Sequence, residues 1–156
     1  PSTMRTLPSY RAEYRQLFRV WDTATLWVSG PANDPEINKA ASRLGVTLPP
    51  SFHAFLSEFG AARLNHIELF GVGISDLRLN LLSRNLLEWP RLPRHLLLIA
   101  ESVVGDRFYL SISEPTADGE YPVLLDMRNE GMREFAPSYF DFVRELCRGL
   151  LPNHEQ

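Results

Sequence analysis

The sequence holds a single cysteine, Cys147, so no disulfide can close within the chain. A lone thiol suits a reducing compartment, and it cannot complete a thiolate metal site. No apolar run reaches the roughly 20 residues that a membrane helix needs. No secretory leader pattern opens the chain, although Pro1 leaves the natural first residue open. These absences lead us to expect a cytoplasmic protein. Lysine is nearly missing: Lys39 stands alone among arginines, a bias of GC-rich bacterial genomes rather than of any function. No dense Lys/Arg patch with interleaved aromatics occurs, which argues against direct nucleic-acid binding. Gly-x-Ser-x-Gly, P-loop and dinucleotide-binding patterns are also missing. His53, His66, His95 and His154 lack the spacing of zinc ligands. Glu58 and Glu68 are the carboxylates that could meet as a pair, although surface carboxylates are common. Cys147 sits beside an apolar stripe, as a small core residue does. Gly105-Asp106 reads as a turn. No catalytic, cofactor or metal site is expected.

What is present is 156 residues with 44% apolar content, enough for one packed domain. The expected limits are residues 9–151, with flexible tails at 1–8 and 152–156. The best-defined stretch runs from Asp34 to Gly60. Asp34 reads as an N-cap followed by Pro35 at the first helical position. Ile37, Ala40, Ala41 and Leu44 recur on one helical face, and Gly45 closes the helix. Val46-Thr47-Leu48-Pro49-Pro50 makes a stiff elbow. Phe52, Phe55, Leu56 and Phe59 then stripe a second helix that ends at Gly60. Together with Leu44, Leu48, Phe142 and Leu146 they are expected to form one core over a sheet.

Upstream, Ser9 reads as the cap of a first helix bearing Tyr14, Leu17, Phe18 and Trp21, and Trp21 to Val28 as a short strand. After Gly60 the period shortens, with a strand over Asn65 to Val72 and a helix over Asn80–Glu88. Three strands follow, at Leu96 to Glu101, Phe108 to Ser113 and Tyr121 to Met127. Gly105-Asp106 and Asp118-Gly119 supply the turns between them. Short connections favour antiparallel pairing. A last helix starts near Ser138, with Tyr139, Phe142, Val143, Leu146 and Leu150 facing inward. Helices, a meander and one closing helix read as α+β.

"AASRLGVTLPPSFHAFLSEFG" resembles the opening motif of the SMI1/KNR4 family, of the SUKH superfamily, at Leu44, Gly45, Leu48, Pro49, Phe52, Phe55, Leu56 and Gly60. Leu97–Ala100, Gly105-Asp106, Phe108-Tyr109-Leu110, Pro122 to Asp126 and Ser138-Tyr139-Phe140 continue the family pattern in order. Departures stand at Phe59 and Ala61, and at Val103-Val104. The resemblance spans roughly residues 34–148. It implies a binding role without catalysis. Many bacterial relatives are immunity proteins that neutralise polymorphic toxins, often nucleases, and fungal relatives are regulatory or scaffolding partners. The leading expectation is an immunity protein with a toxin domain as partner, and the alternative is a regulatory module that binds a housekeeping protein.

Charge supplies the candidate contact residues. After residue 100, acidic side chains outnumber basic ones by eleven to five. Glu114, Asp118 and Glu120 fall in one expected loop, and Glu130 and Glu134 in another. An acidic face of this kind would complement the basic cleft of a nuclease. The bland alternative is solvated turns. Trp21, Trp27 and Trp89 read first as core or edge packing, and are the aromatic anchors if exposed.

Overall fold

The computed structural model describes residues 6–19, 25–128 and 130–150. Helix α1 spans Leu7–Phe18 and buries Tyr10, Tyr14 and Phe18. Its cap is Thr6, whose hydroxyl accepts from the Ser9 amide, so residues 6–8 belong to the helix rather than to a tail. Trp21, the start of the strand expected from it, residues 1–5 and residues 151–156 lie outside the described residues. Helix α2 covers Asp34–Leu44. Asn33, one residue before the expected cap, closes a reciprocal capping box with Glu36, and Asp34 becomes the first helical residue. Gly45 takes the left-handed conformation at φ 70°. Helix α3, Pro50–Phe59, follows the elbow, and its N-cap Pro49 offers no side-chain acceptor.

Among the described residues seven strands form one antiparallel sheet whose spatial order is the chain order. They are β1 Leu26–Val28, β2 Ala62–Leu64, β3 Ile67–Leu69, β4 Leu96–Ser102, β5 Arg107–Ser111, β6 Val123–Met127 and β7 Gly131–Ala136. The single strand expected over 65–72 is instead a hairpin half: Asn65, at φ 59°, and His66 turn β2 back along β3. Strand β7 was not anticipated, and it claims Glu134 from the expected loop. A short 3₁₀ turn, Leu77–Leu79, leads into α4, Leu81–Glu88. Helix α5, Tyr139–Leu150, closes the described chain after Ser138, whose hydroxyl accepts from the Asp141 amide.

One face of the sheet carries Phe108, Leu110, Val123 and Leu125 into a core with α1, α3 and α5. Phe52 stacks on Tyr139 at 4.3 Å, and Phe55 meets Tyr14 edge-on at 5.2 Å. Phe108 meets Phe142 at 4.9 Å. Leu44, Phe52, Phe55, Leu56, Phe59, Phe142 and Leu146 are buried as expected, while Leu48 is half-buried at the rim. Gly60 and Gly71 occupy a crossing where a Cβ on Gly60 would strike the Gly30 carbonyl and one on Gly71 would strike the Gly60 backbone. Glycine is required there because three passes of backbone touch.

Candidate functional site

The five expected contact carboxylates do not share a surface. Strand β6 has the loop of Glu114, Asp118 and Glu120 before Val123 and the turn of Glu130 after Met127, so the two loops stand at opposite ends of the strand. Glu114, Glu130 and Glu134 are exposed, and Asp118 is half-buried beside the Thr116 hydroxyl. Glu120 is 3% exposed and points inward. Its carboxylate accepts from the Ser51 amide at 3.0 Å, the Ser51 hydroxyl at 2.7 Å and the Tyr10 hydroxyl at 3.1 Å. It therefore caps α3 from 69 residues away, in place of the side chain that Pro49 lacks. Burial pushes the Glu120 carboxyl above its ordinary range, against the lowering effect of the Ser51 and Tyr10 bonds. The sequence could show an acid in a loop. It could not show that the loop folds against an uncapped helix.

The face of the sheet turned away from α1, α3 and α5 carries a mostly polar row beside the buried Leu98 and Tyr109. Register places Trp27, Arg63, Glu68, Glu101, Arg107, Asp126 and Met132 opposite one another in turn, a row that crosses all seven strands. Arg63 bonds Glu68 at 3.2 Å and lies 5.1 Å from the Trp27 ring centre. Beside the row, α4 is fastened to β4 where β3 has ended. The Asn85 amide accepts from the Leu98 N–H at 2.8 Å and donates to its carbonyl at 2.9 Å, as a neighbouring strand would.

Helix and row meet in an ion network of Arg84, Glu101, Arg107 and Glu88, which Arg91 extends at 3.7 Å from Glu88. Arg84 donates to Glu101 at 2.6 Å, and Arg107 donates to the other Glu101 oxygen at 3.1 Å. The Arg107 fork also grips Glu88 in a two-point contact at 3.2 and 3.3 Å. Partial burial favours neutral Glu101, but the two guanidinium groups outweigh it and hold the carboxyl below its usual range. For Arg107, burial is likewise outweighed by Glu88 and Glu101, which raise its proton affinity. Arg84 also lies over the Phe70 ring at 4.5 Å.

Above this network opens a groove of about 430 Å³, walled by Leu77, Arg78, Ser83, Arg84, Leu87, Glu88 and Arg107. Leu77 and Leu87, on its lips, are 65% and 66% exposed. Two leucines this open beside fixed charges have the make-up of a protein contact, with apolar anchors and a polar floor. The sequence carried a hint in Leu86-Leu87, which extends the leucines of α4 past one helical stripe. Glu101 lies 17 residues from Arg84 and 6 from Arg107, and Glu88 lies 19 from Arg107, all beyond the reach of helical spacing.

Of the other expected residues, Trp27 is partly exposed on β1, while Trp89 is half-buried beneath Arg94 at 3.9 Å. His53 faces Asp34 at 3.2 Å, and Cys147 is buried. Glu58 pairs with Arg11 and Arg15 of α1, whereas Glu68 pairs with Arg63, so these two carboxylates serve different partners. Among the described residues no three His, Cys, Asp or Glu side chains gather as a metal site, and no helix is long and apolar enough to cross a membrane.

The sequence pattern of the SMI1 / KNR4 family (SUKH-1) matches residues 31–145. The chain belongs to the SMI1/KNR4 family. The match runs from the loop before α2 into α5, and so contains both the Glu120 cap and the groove. A comparison with curated proteins finds none that matches.

Proposed function

We propose that this SMI1/KNR4-family domain is an immunity protein that blocks a toxin domain by binding it, without chemistry of its own. The family match over residues 31–145 is the observation that carries the reading, because the resemblance implies a binding role of this kind. The groove between Leu77 and Leu87 supports it, since its open leucines and rigid charged floor suit a partner surface better than a small substrate. The toxin domain is the occupant that we assign to this groove. Glu120 is not part of the contact, because it is buried beneath α3.

The test is survival of cells that co-express the chain with a toxin domain taken from a neighbouring gene. Wild-type protein rescues growth. Leu77→Asp with Leu87→Asp, both on exposed sites, leaves the melting temperature unchanged within about 2 °C and abolishes rescue. Death with the wild-type chain overturns the immunity reading. Full rescue by the double variant moves the contact away from the groove.

A further inference from the structure

Strand β7 ends the sheet, and no described residue pairs with its outer edge. At six residues it is long for an edge, twice the length of β1 at the other side. Gly131, Met132, Arg133 and Glu134 are all exposed, so both faces of this stretch are open as well as its rim of backbone N–H and C=O groups. Such a rim is a template for a further strand. Phe135 and Ala136 anchor the far end, with Phe135 packed 5.3 Å from Phe108 and 6.0 Å from Phe142. The template is thus held rigid from behind.

The charges on β7 discriminate between occupants. In a two-fold antiparallel pair of identical strands, each residue lies opposite one that shares its face. The two centred registers then set Arg133 against Arg133, or Glu134 against Glu134. A shift in one direction sets Glu130 against Glu134, and a shift in the other brings Pro137 into the ladder. Like charges directly opposite destabilise a pair, and proline cannot donate. A second copy of this chain is therefore a poor fit.

We infer that β7 receives an extended strand from a different protein, paired antiparallel, with a carboxylate opposite Arg133 and a cation opposite Glu134. Backbone hydrogen bonds hold such a strand, and the two charges with Met132 set its register. The added strand prolongs the polar face, since Met132 lies two strands from Arg107, about 10 Å away. One partner can reach both the rim and the groove. The inference stands whether or not that partner is a toxin.

Two synthetic nine-residue strand peptides test it against the full, isotope-labelled chain by NMR. One carries Glu opposite Arg133 and Lys opposite Glu134, and the other exchanges them. The first shifts the amides of residues 131–136 and binds about tenfold more tightly than the second, a ratio within reach of two cross-strand charge pairs. In the variant R133E/E134R the preference reverses. Shifts confined to other strands, equal binding of both peptides, absence of shifts with either, or a free protein already dimeric through β7 overturns the proposal.

Discussion

Phe55 shows how much rests on single side chains. It is fully buried at the point where α1, α3 and α5 converge, with Tyr14, Phe18, Phe59 and Tyr139 around its ring. Removing the ring leaves a cavity that three helices cannot jointly collapse into. Phe55→Ala is expected to lower stability by about 3–5 kcal/mol in denaturant titration. A loss near 1 kcal/mol, well below that range, would mean that the neighbouring rings repack. This residue was fully legible in the sequence. Its spacing from Phe52 and Phe59 marks an apolar stripe, and burial follows because nothing else can cover three phenylalanines. Glu120 was illegible for the opposite reason. A carboxylate in a turn-rich loop looks the same whether it faces water or a bare helix end, and only the tertiary fold decides.

Among the elements, α4 adds polar bonds to its buried Leu81, where α1, α3 and α5 are held together by rings. Asn85 is buried and replaces a missing strand beside Leu98. Asn85→Ala strands the Leu98 N–H and C=O in the interior, a loss expected near 3 kcal/mol. The same substitution should raise amide exchange at residues 81–88 well before the α3 core opens, and uniform exchange across both helices would contradict this. Helices α2 and α3 and strands β4 to β6 were readable, because periodicity, caps and turn dipeptides agree there. Strand β2 was missed and β3 was drawn too long, because three-residue strands are too short to show alternation. Strand β7 was missed because an edge open on both faces has no apolar period to display.

Over the whole molecule, pH dependence separates the buried carboxylate of Glu120 from the half-buried one of Glu101. The Glu120 carboxyl titrates above its ordinary value, chiefly because of burial. The folded state therefore holds its proton more tightly than the unfolded chain does. Stability from this group is complete below about pH 4.5, the unfolded value, and is lost as pH rises through the higher folded value. Glu120→Gln, which mimics the protonated form, is expected to gain on the wild type in thermal melts as pH rises from acid to neutral. Parallel melting curves would show that burial does not penalise the charge. Glu101 behaves in the opposite sense: its carboxyl is lowered, so its contribution is present above the unfolded value and is lost as acid reaches the folded one.

The Glu120 clasp also has a consequence in time. The chain is made from one end, and Ser51 leaves the ribosome long before Glu120 does. Until then α3 has phenylalanines to bury and no acceptor for its leading amides. The early strands can zip in order, each onto the edge just finished, because spatial order follows chain order. The helix at the centre of the core is locked only when the connection before β6 arrives. A nascent chain halted between the two points exposes a half-built, sticky intermediate, and that interval is where a chaperone or a protease gains its opportunity.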